Sequence, residues 1–173
     1  MFKELIFGVG NSLEKKIWEP GQKDFVNPTT IDIDPNAKPD ILWDLNIRPL
    51  PFEDDTFDEI HAYEILEHLG KQGDWQGFFE EFGEYWRILK PNGVLYATCP
   101  RGDVWTWGDP GHTRVINEGT ISYLSQEIYK DNVGKNPMTD YRHVWKKDFD
   151  PIYSQLNDNT FFFALRKVNG SRL

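Results

Sequence analysis

Short apolar runs recur along this chain, each stopped within a few residues by glycine, proline or an acidic residue, and that rhythm constrains the fold most. Leu5-Ile6-Phe7 runs into Gly8-Val9-Gly10, and Thr29–Ile33 stops at Asp34-Pro35. Asp40-Ile41-Leu42-Trp43 and Phe57–Tyr63 follow, then Val94–Cys99 between Pro91-Asn92-Gly93 and Pro100. Several of these runs lack polar alternation, as expected of strands covered on both faces.

Between the fourth and fifth runs the period changes. Trp75, Phe78, Phe79, Phe82, Trp86 and Leu89 recur at three- and four-residue steps, which predicts one amphipathic helix. Asp74 can cap its start, and Lys90-Pro91-Asn92-Gly93 ends it. A second helix is predicted after Asn117 as N-cap, with Ile121, Leu124 and Ile128 facing inward. Tyr141–Phe149 and Thr160–Val168 are predicted as two further strands, free to pair as a terminal antiparallel hairpin. Leu13–Val26 is interrupted by Pro20-Gly21, so any crossover helix there must be short. Strands alternating with helices and closing on a hairpin mean α/β with a mainly parallel sheet.

The 173 residues suit one domain spanning 1–173, with no repeat and no linker long enough to divide it. Nineteen basic against 28 acidic residues leave a net charge of −9, a surface that repels polyphosphate and argues against nucleic acid as a partner. No apolar run approaches a membrane span, and the N-terminal residues do not open a signal peptide. Cys99 is the only cysteine, so no intrachain disulfide can form and a cytoplasmic location is the simplest expectation. With four histidines and that one cysteine there is no zinc-ligand spacing, and no metal is expected.

The glycine turn after the first strand lets the backbone bend sharply and approach a ligand without an intervening Cβ. Alone it is equally consistent with a plain strand-to-helix turn, and Leu13 stands where a third glycine of G-x-G-x-x-G would be. Asp32 ends the second strand, where a carboxylate can accept from two ribose hydroxyls; a solvated aspartate before Asp34-Pro35 is the plainer alternative.

Several motifs then fall in order. Leu5–Ser12, Ile31–Pro35, Trp43-Asp44-Leu45, the Leu50–Asp58 segment L-P-F-E-D-D-T-F-D, and Glu64-Ile65-Leu66-Glu67-His68-Leu69 together resemble the class I S-adenosylmethionine-dependent methyltransferases, closest to the small-molecule, type 11-like group. Trp86–Gly93 is similar to that family's R-x-L-K-P-G-G turn, with Asn92 replacing one glycine. The resemblance covers about residues 4–100 and, more loosely, Asp109–Arg114.

It implies a Rossmann-like three-layer sandwich with a seven-stranded sheet, shortened at its N-terminus, and S-adenosylmethionine across the strand ends, with S-adenosylhomocysteine as product. Gly8, Gly10, Asn11 and Ser12 would approach the methionine portion, and Asp32 the ribose. Asp44 would accept from the adenine amino group, Leu45 donate through its amide, and Ile33 pack on the ring. Ala62, Tyr63 and Glu64 would line the methionine side. The chain departs from the family in two ways. Ile6 occupies a usually acidic position, leaving the methionine ammonium to a carbonyl or to Glu64, and no helix precedes the first strand.

Methyl transfer from a sulfonium is an in-line displacement that requires alignment and, where the acceptor carries a proton, a base. His68, expected on the first turns of a helix, and His112, in the loop after the fifth strand, are the candidate catalytic bases; a structural role is the alternative for each. Trp105 and Trp107 could stack on a planar or cationic acceptor, or simply seal the sheet end. With no room for a substrate domain, the Arg101–Ile116 loop is expected to recognise the acceptor, a small molecule or an exposed group of a larger one. Two other readings stand beside this enzyme: a catalytically silent methyltransferase-like binding protein, and a nicotinamide dehydrogenase.

Overall fold

The computed structural model describes residues 1–10, 13–102 and 106–170. Seven strands form one sheet: β1 (Glu4–Phe7), β2 (Thr29–Asp32), β3 (Ile41–Leu42), β4 (Phe57–Tyr63), β5 (Leu89–Pro100), β6 (Phe149–Leu156) and β7 (Thr160–Lys167). Their order is β3-β2-β1-β4-β5-β7-β6, parallel from β3 through β5 and antiparallel across β5–β7–β6. Chain order reverses direction between β1 and β4, and ligands of open α/β sheets bind in the crevice outside the carboxyl ends at such a switch point.

One face of the sheet carries the core. Leu5 and Phe7 of β1 align with Ile60 and Ala62 of β4, then with Leu95 and Ala97 of β5. Helix α1 (Trp75–Ile88) covers this face through Phe79, Phe82, Tyr85 and Ile88, all buried. Asp74 caps it, accepting from the Gly77 amide at 3.0 Å. Burying one such phenylalanine contributes roughly 1.5–3 kcal/mol. Within the first residues of β5, Asn92 adopts φ of 64°, a left-handed conformation asparagine tolerates, which explains how it replaces glycine there. A Cβ on the adjacent Gly93 would lie 2.9 Å from the Lys90 carbonyl, so that glycine is required.

Asn117 caps a helix as predicted, in a capping box with Thr120, but the helix is two short ones, α2 (Glu118–Ser122) and α3 (Gln126–Asn132). Ser125 restarts the chain by capping α3, and Ile128 is only half-buried while Tyr129 is fully buried. Tyr141–Asp148 is not a strand, and only Phe149 of the predicted run joins one, as the first residue of β6. Asp140 accepts from the Arg142 amide, the Val144 and Trp145 amides fold back to the Tyr141 carbonyl, and the Tyr141 and Trp145 rings pack on Phe79. The hairpin partner of β7 is instead β6, whose Pro151 is tolerated on an edge strand beside a register shift.

The opposite face shows a larger departure. The described residues between Leu13 and Val26 form bends and turns, with no crossover helix. Lys15 inserts its ammonium under this strap, 2.5 Å from Glu4 Oε1 and 2.9 Å from Glu59 Oε2, while the Val26 amide donates to Glu4 Oε2 at 2.7 Å. The layer on that face is therefore a strap held by a buried ion-pair network. Among the described residues no helix is long and apolar enough to cross a membrane.

Candidate active site

The carboxyl ends of β1–β4 deliver their loops to one crevice of about 210 Å³. Gly8, Asp32, Ile33, Asp44, Leu45 and His68 line it, joined by Trp43, Asn46, Ile65 and Leu69. Gly8 has φ of 68°, a dihedral that favours glycine, and a Cβ there would sit 3.1 Å from Ile65 Cδ1, which would have to shift by a few tenths of an ångström. Asp32 receives the Val9 amide on Oδ2 and the Asp34 amide on Oδ1, each at 2.8 Å. A carboxylate has about four lone-pair sites, so capacity for further donors remains. Asp44 Oδ1 accepts from the Asn46 amide at 2.8 Å and fixes the loop after β3. The Ile33 side chain is 65% exposed beside the crevice, whereas the Leu45 side chain is buried in the core, which leaves its backbone to the rim.

The remaining expected residues lie differently. Gly10 has φ of 54° and open space where a Cβ would be. Ala62 is buried in the core, and the Tyr63 hydroxyl turns to the strap face, 2.8 Å from His61 Nδ1. Glu64 has φ of 52°, a left-handed conformation uncommon outside glycine, and its amide donates to the Thr98 carbonyl. Ile6 is buried on the strap face, paired across strands with His61. Asn11, Ser12 and Trp105 lie outside the described residues; Trp107 is 55% exposed.

Beside the crevice, His68 belongs to a 3-10 turn, Leu66–His68, rather than to a longer helix. The loop after β5 is pinned onto this turn: the Thr113 amide donates to the Glu67 carbonyl at 2.8 Å, and Arg114 Nε to the Leu66 carbonyl at 2.9 Å. Arg114 also pairs with the fully buried Glu81 of α1 at 2.6 Å. This brings the His112 ring to 4.6 Å from that of His68. His68 Nδ1 donates to the Gly111 carbonyl at 3.1 Å and His112 Nδ1 to the Thr106 carbonyl at 2.5 Å, because a carbonyl can only accept.

Glu67, which sequence reasoning left in the shadow of its histidine neighbour, is 1% exposed. Burial pushes its carboxyl up to about 7, reinforced by the nearby Glu64 charge. Neither of its oxygens has a hydrogen bond of ordinary geometry among the described residues. The Cys99 thiol, itself pushed well up by burial, lies against it.

A parallel sheet with a switch-point crevice, a bare glycine turn and carboxylates at consecutive strand ends defines a nucleotide-type cofactor fold. Residues 7–97, more than half the chain, match the methyltransferase domain family. The chain belongs to that family, the class I S-adenosylmethionine-dependent methyltransferases, whose cofactor is S-adenosylmethionine. A probable S-adenosylmethionine-dependent methyltransferase of Mycolicibacterium smegmatis is 27% identical over 84 residues, 46% of this chain; the match spans 30% of that relative's length. The fold is similar to that of a SAM-dependent methyltransferase from Archaeoglobus fulgidus, with TM-score 0.58, 13% identity, and coverage of 96% of this chain and 86% of that one. It is also similar to N-methyltransferase NodS from Bradyrhizobium japonicum in complex with S-adenosyl-L-homocysteine, with TM-score 0.56, 16% identity, and coverage of 97% and 79%.

Proposed function

We propose that this protein binds S-adenosylmethionine in the crevice at the ends of β1–β4 and catalyses methyl transfer to a small molecule or an exposed group of a larger acceptor. One observation carries the reading: Gly8, Asp32, Ile33, Asp44 and Leu45, drawn from three separate segments, meet at a single cavity. Their chemistry fits the adenosine half of the cofactor. Asp32 has lone pairs beyond its two backbone bonds for ribose hydroxyls, Asp44 offers an acceptor for an exocyclic amine, and the exposed Ile33 offers an apolar plate. When bound, the cofactor supplies an electrophilic methyl on sulfonium.

The chain's own residues would position the acceptor and manage its proton. In this reading Gly10, Asn11 and Ser12 attend the methionine portion with the backbone at Ala62, Tyr63 and Glu64, and Glu64 faces the ammonium in place of an acidic residue at Ile6. His68 and His112, each with Nδ1 committed to a carbonyl, keep Nε2 for the acceptor side. The Arg101–Ile116 loop recognises the acceptor, and the cytoplasm is the proposed location.

Titration calorimetry with S-adenosylmethionine and S-adenosylhomocysteine tests the first half; no heat from either at millimolar ligand would end the reading. Release of S-adenosylhomocysteine across a panel of hydroxyl, amine and thiol acceptors tests the second. The buried Ile6 favours one other outcome, a protein that binds the cofactor without turnover, which would give calorimetric heat and no product with any acceptor.

A further inference from the structure

We propose that Glu67, His68 and His112 form a binding site for one divalent first-row transition cation at the edge of the crevice. One ligand atom from each residue lies within 4.8 Å of the others. Three independent features of the cluster point to a cation rather than to ordinary packing.

The first is the orphaned carboxylate. Glu67 is buried, and its side-chain oxygens make no hydrogen bond of ordinary geometry among the described residues, with only the Cys99 thiol lying against them. Leaving a buried polar group unpaired costs stability, and the cost is greater for a charged group. Arg114, the buried cation of the same loop, is committed to the Leu66 carbonyl and Glu81.

The second is the state of the imidazoles. Metal-ligating histidines characteristically donate their other ring N–H to a carbonyl or carboxylate, which fixes tautomer and orientation. Both His68 and His112 do this through Nδ1, toward Gly111 and Thr106, and each Nε2 is left as a lone-pair donor. The third is spacing. His112 Nε2 is 3.9 Å from Glu67 Oε1 and 3.8 Å from Asp109 Oδ2, too long for hydrogen bonds. Two ligands at about 2.0–2.2 Å from a shared tetrahedral ion lie about 3.3–3.6 Å apart, so His112 and Glu67 need to close by only a few tenths of an ångström.

Two imidazole nitrogens with carboxylate oxygen suit Mn²⁺, Fe²⁺, Co²⁺ or Zn²⁺ rather than the all-oxygen shells of Ca²⁺ or Mg²⁺. Three protein ligands leave coordination positions open, and His68 also lines the crevice. Resting on the methyltransferase reading, the open positions would take an acceptor hydroxyl and lower its pKa. The hydroxyl proton leaves to solvent, the oxygen lone pair forms the new O–C bond, and the C–S bond breaks with its pair remaining on sulfur.

The test uses untagged full-length protein stripped with EDTA and titrated calorimetrically with Mn²⁺, Co²⁺ and Zn²⁺ in the absence of S-adenosylmethionine. Bound metal is counted by mass spectrometry, and Co²⁺ coordination is read from its visible absorption. One ion per chain is expected. Glu67→Gln and, separately, His68→Gln should each weaken it by at least about 10–100-fold, the range that outer-shell partners alone command. Should Glu67→Gln fail to fold, His68→Gln carries the comparison. S-adenosylhomocysteine affinity, measured on the same samples, separates the two readings. Metal without cofactor binding sinks the methyltransferase reading alone. A wild-type chain that binds S-adenosylhomocysteine but takes up no stoichiometric ion, or variants that hold the ion as tightly as wild type, overturns the cation site.

Discussion

The Asp32 carboxylate holds the Val9 amide at 2.8 Å, so the side chain ending β2 fixes the glycine turn that ends β1. This one bond links the two segments expected to contact ribose and methionine. Asp32→Ala would remove it together with the ribose acceptor. We expect cofactor affinity to fall by about 1–3 kcal/mol, the range for losing hydrogen bonds to a charged group. Calorimetry with S-adenosylhomocysteine checks this, and unchanged affinity would take Asp32 out of the site.

His112 is held by the loop after β5, away from the lining of the crevice, with its side chain only 10% exposed. A group so placed should act on the acceptor more than on the cofactor. His112→Ala is expected to lower kcat at least tenfold while S-adenosylhomocysteine affinity changes less than about twofold. Equal loss of both would assign His112 to holding the loop in place.

Stability should fall on the acid side, for reasons located under the strap. Burial holds the imidazole of His61 below its ordinary value of 6.5. Unfolding restores that value, so below about pH 6.5 the unfolded chain takes up a proton the folded chain refuses, and folding weakens as pH drops. Glu59, although burial alone would raise it, is held below 4.5 by hydrogen bonds from His61 and Lys15 and adds to the loss at lower pH. Lys15 is opposed by burial but raised above 10.5 by its bonds to Glu4 and Glu59, so its contribution persists at neutrality and is lost only in strong alkali. Glu4, Tyr63, Phe25 and the stacked Tyr96 complete the surroundings of the ring. Glu67, whose carboxyl is raised to about 7, works in the opposite direction over the same range, losing stability as pH rises. The His61 contribution is therefore read by difference: in thermal melts from pH 5 to 8, the Tm of the wild type relative to His61→Gln should increase from pH 5 towards neutrality, and a constant difference would place the titration elsewhere.

Much of this architecture is legible in the residues themselves. β4 and α1 fall where the apolar runs and the aromatic stripe put them, because each makes its own contacts in a simple period. Gly8, Asp32, Ile33, Asp44 and Leu45 converge because parallel strands deliver successive ends to one edge. What was illegible depended on long-range partners. Tyr141 and Trp145 have strand-like chemistry, yet they are claimed by Phe79 of α1, and the edge strand carrying Pro151 forms further along. The burial of Glu67 follows from the loop carrying Thr113 and Arg114 closing over it, and the two segments are more than 40 residues apart. Nor does any local pattern announce that a lysine and two glutamates replace a helix.

That replacement gives the last prediction. Lys15 is buried between Glu4 of β1 and Glu59 of β4, neighbours across parallel strands whose like charges would otherwise face each other. Taking away one partner of a buried ion pair leaves uncompensated charge and costs about 3–5 kcal/mol. Lys15→Met keeps most of the side chain's bulk and removes only the ammonium, so it should destabilise by that order, measured by urea denaturation near pH 7.5. The triple variant with Glu4→Gln and Glu59→Gln should recover part of the loss, because amides do not repel as carboxylates do. If Lys15→Met costs less than about 1 kcal/mol, packing of the strap rather than its charge holds this face together.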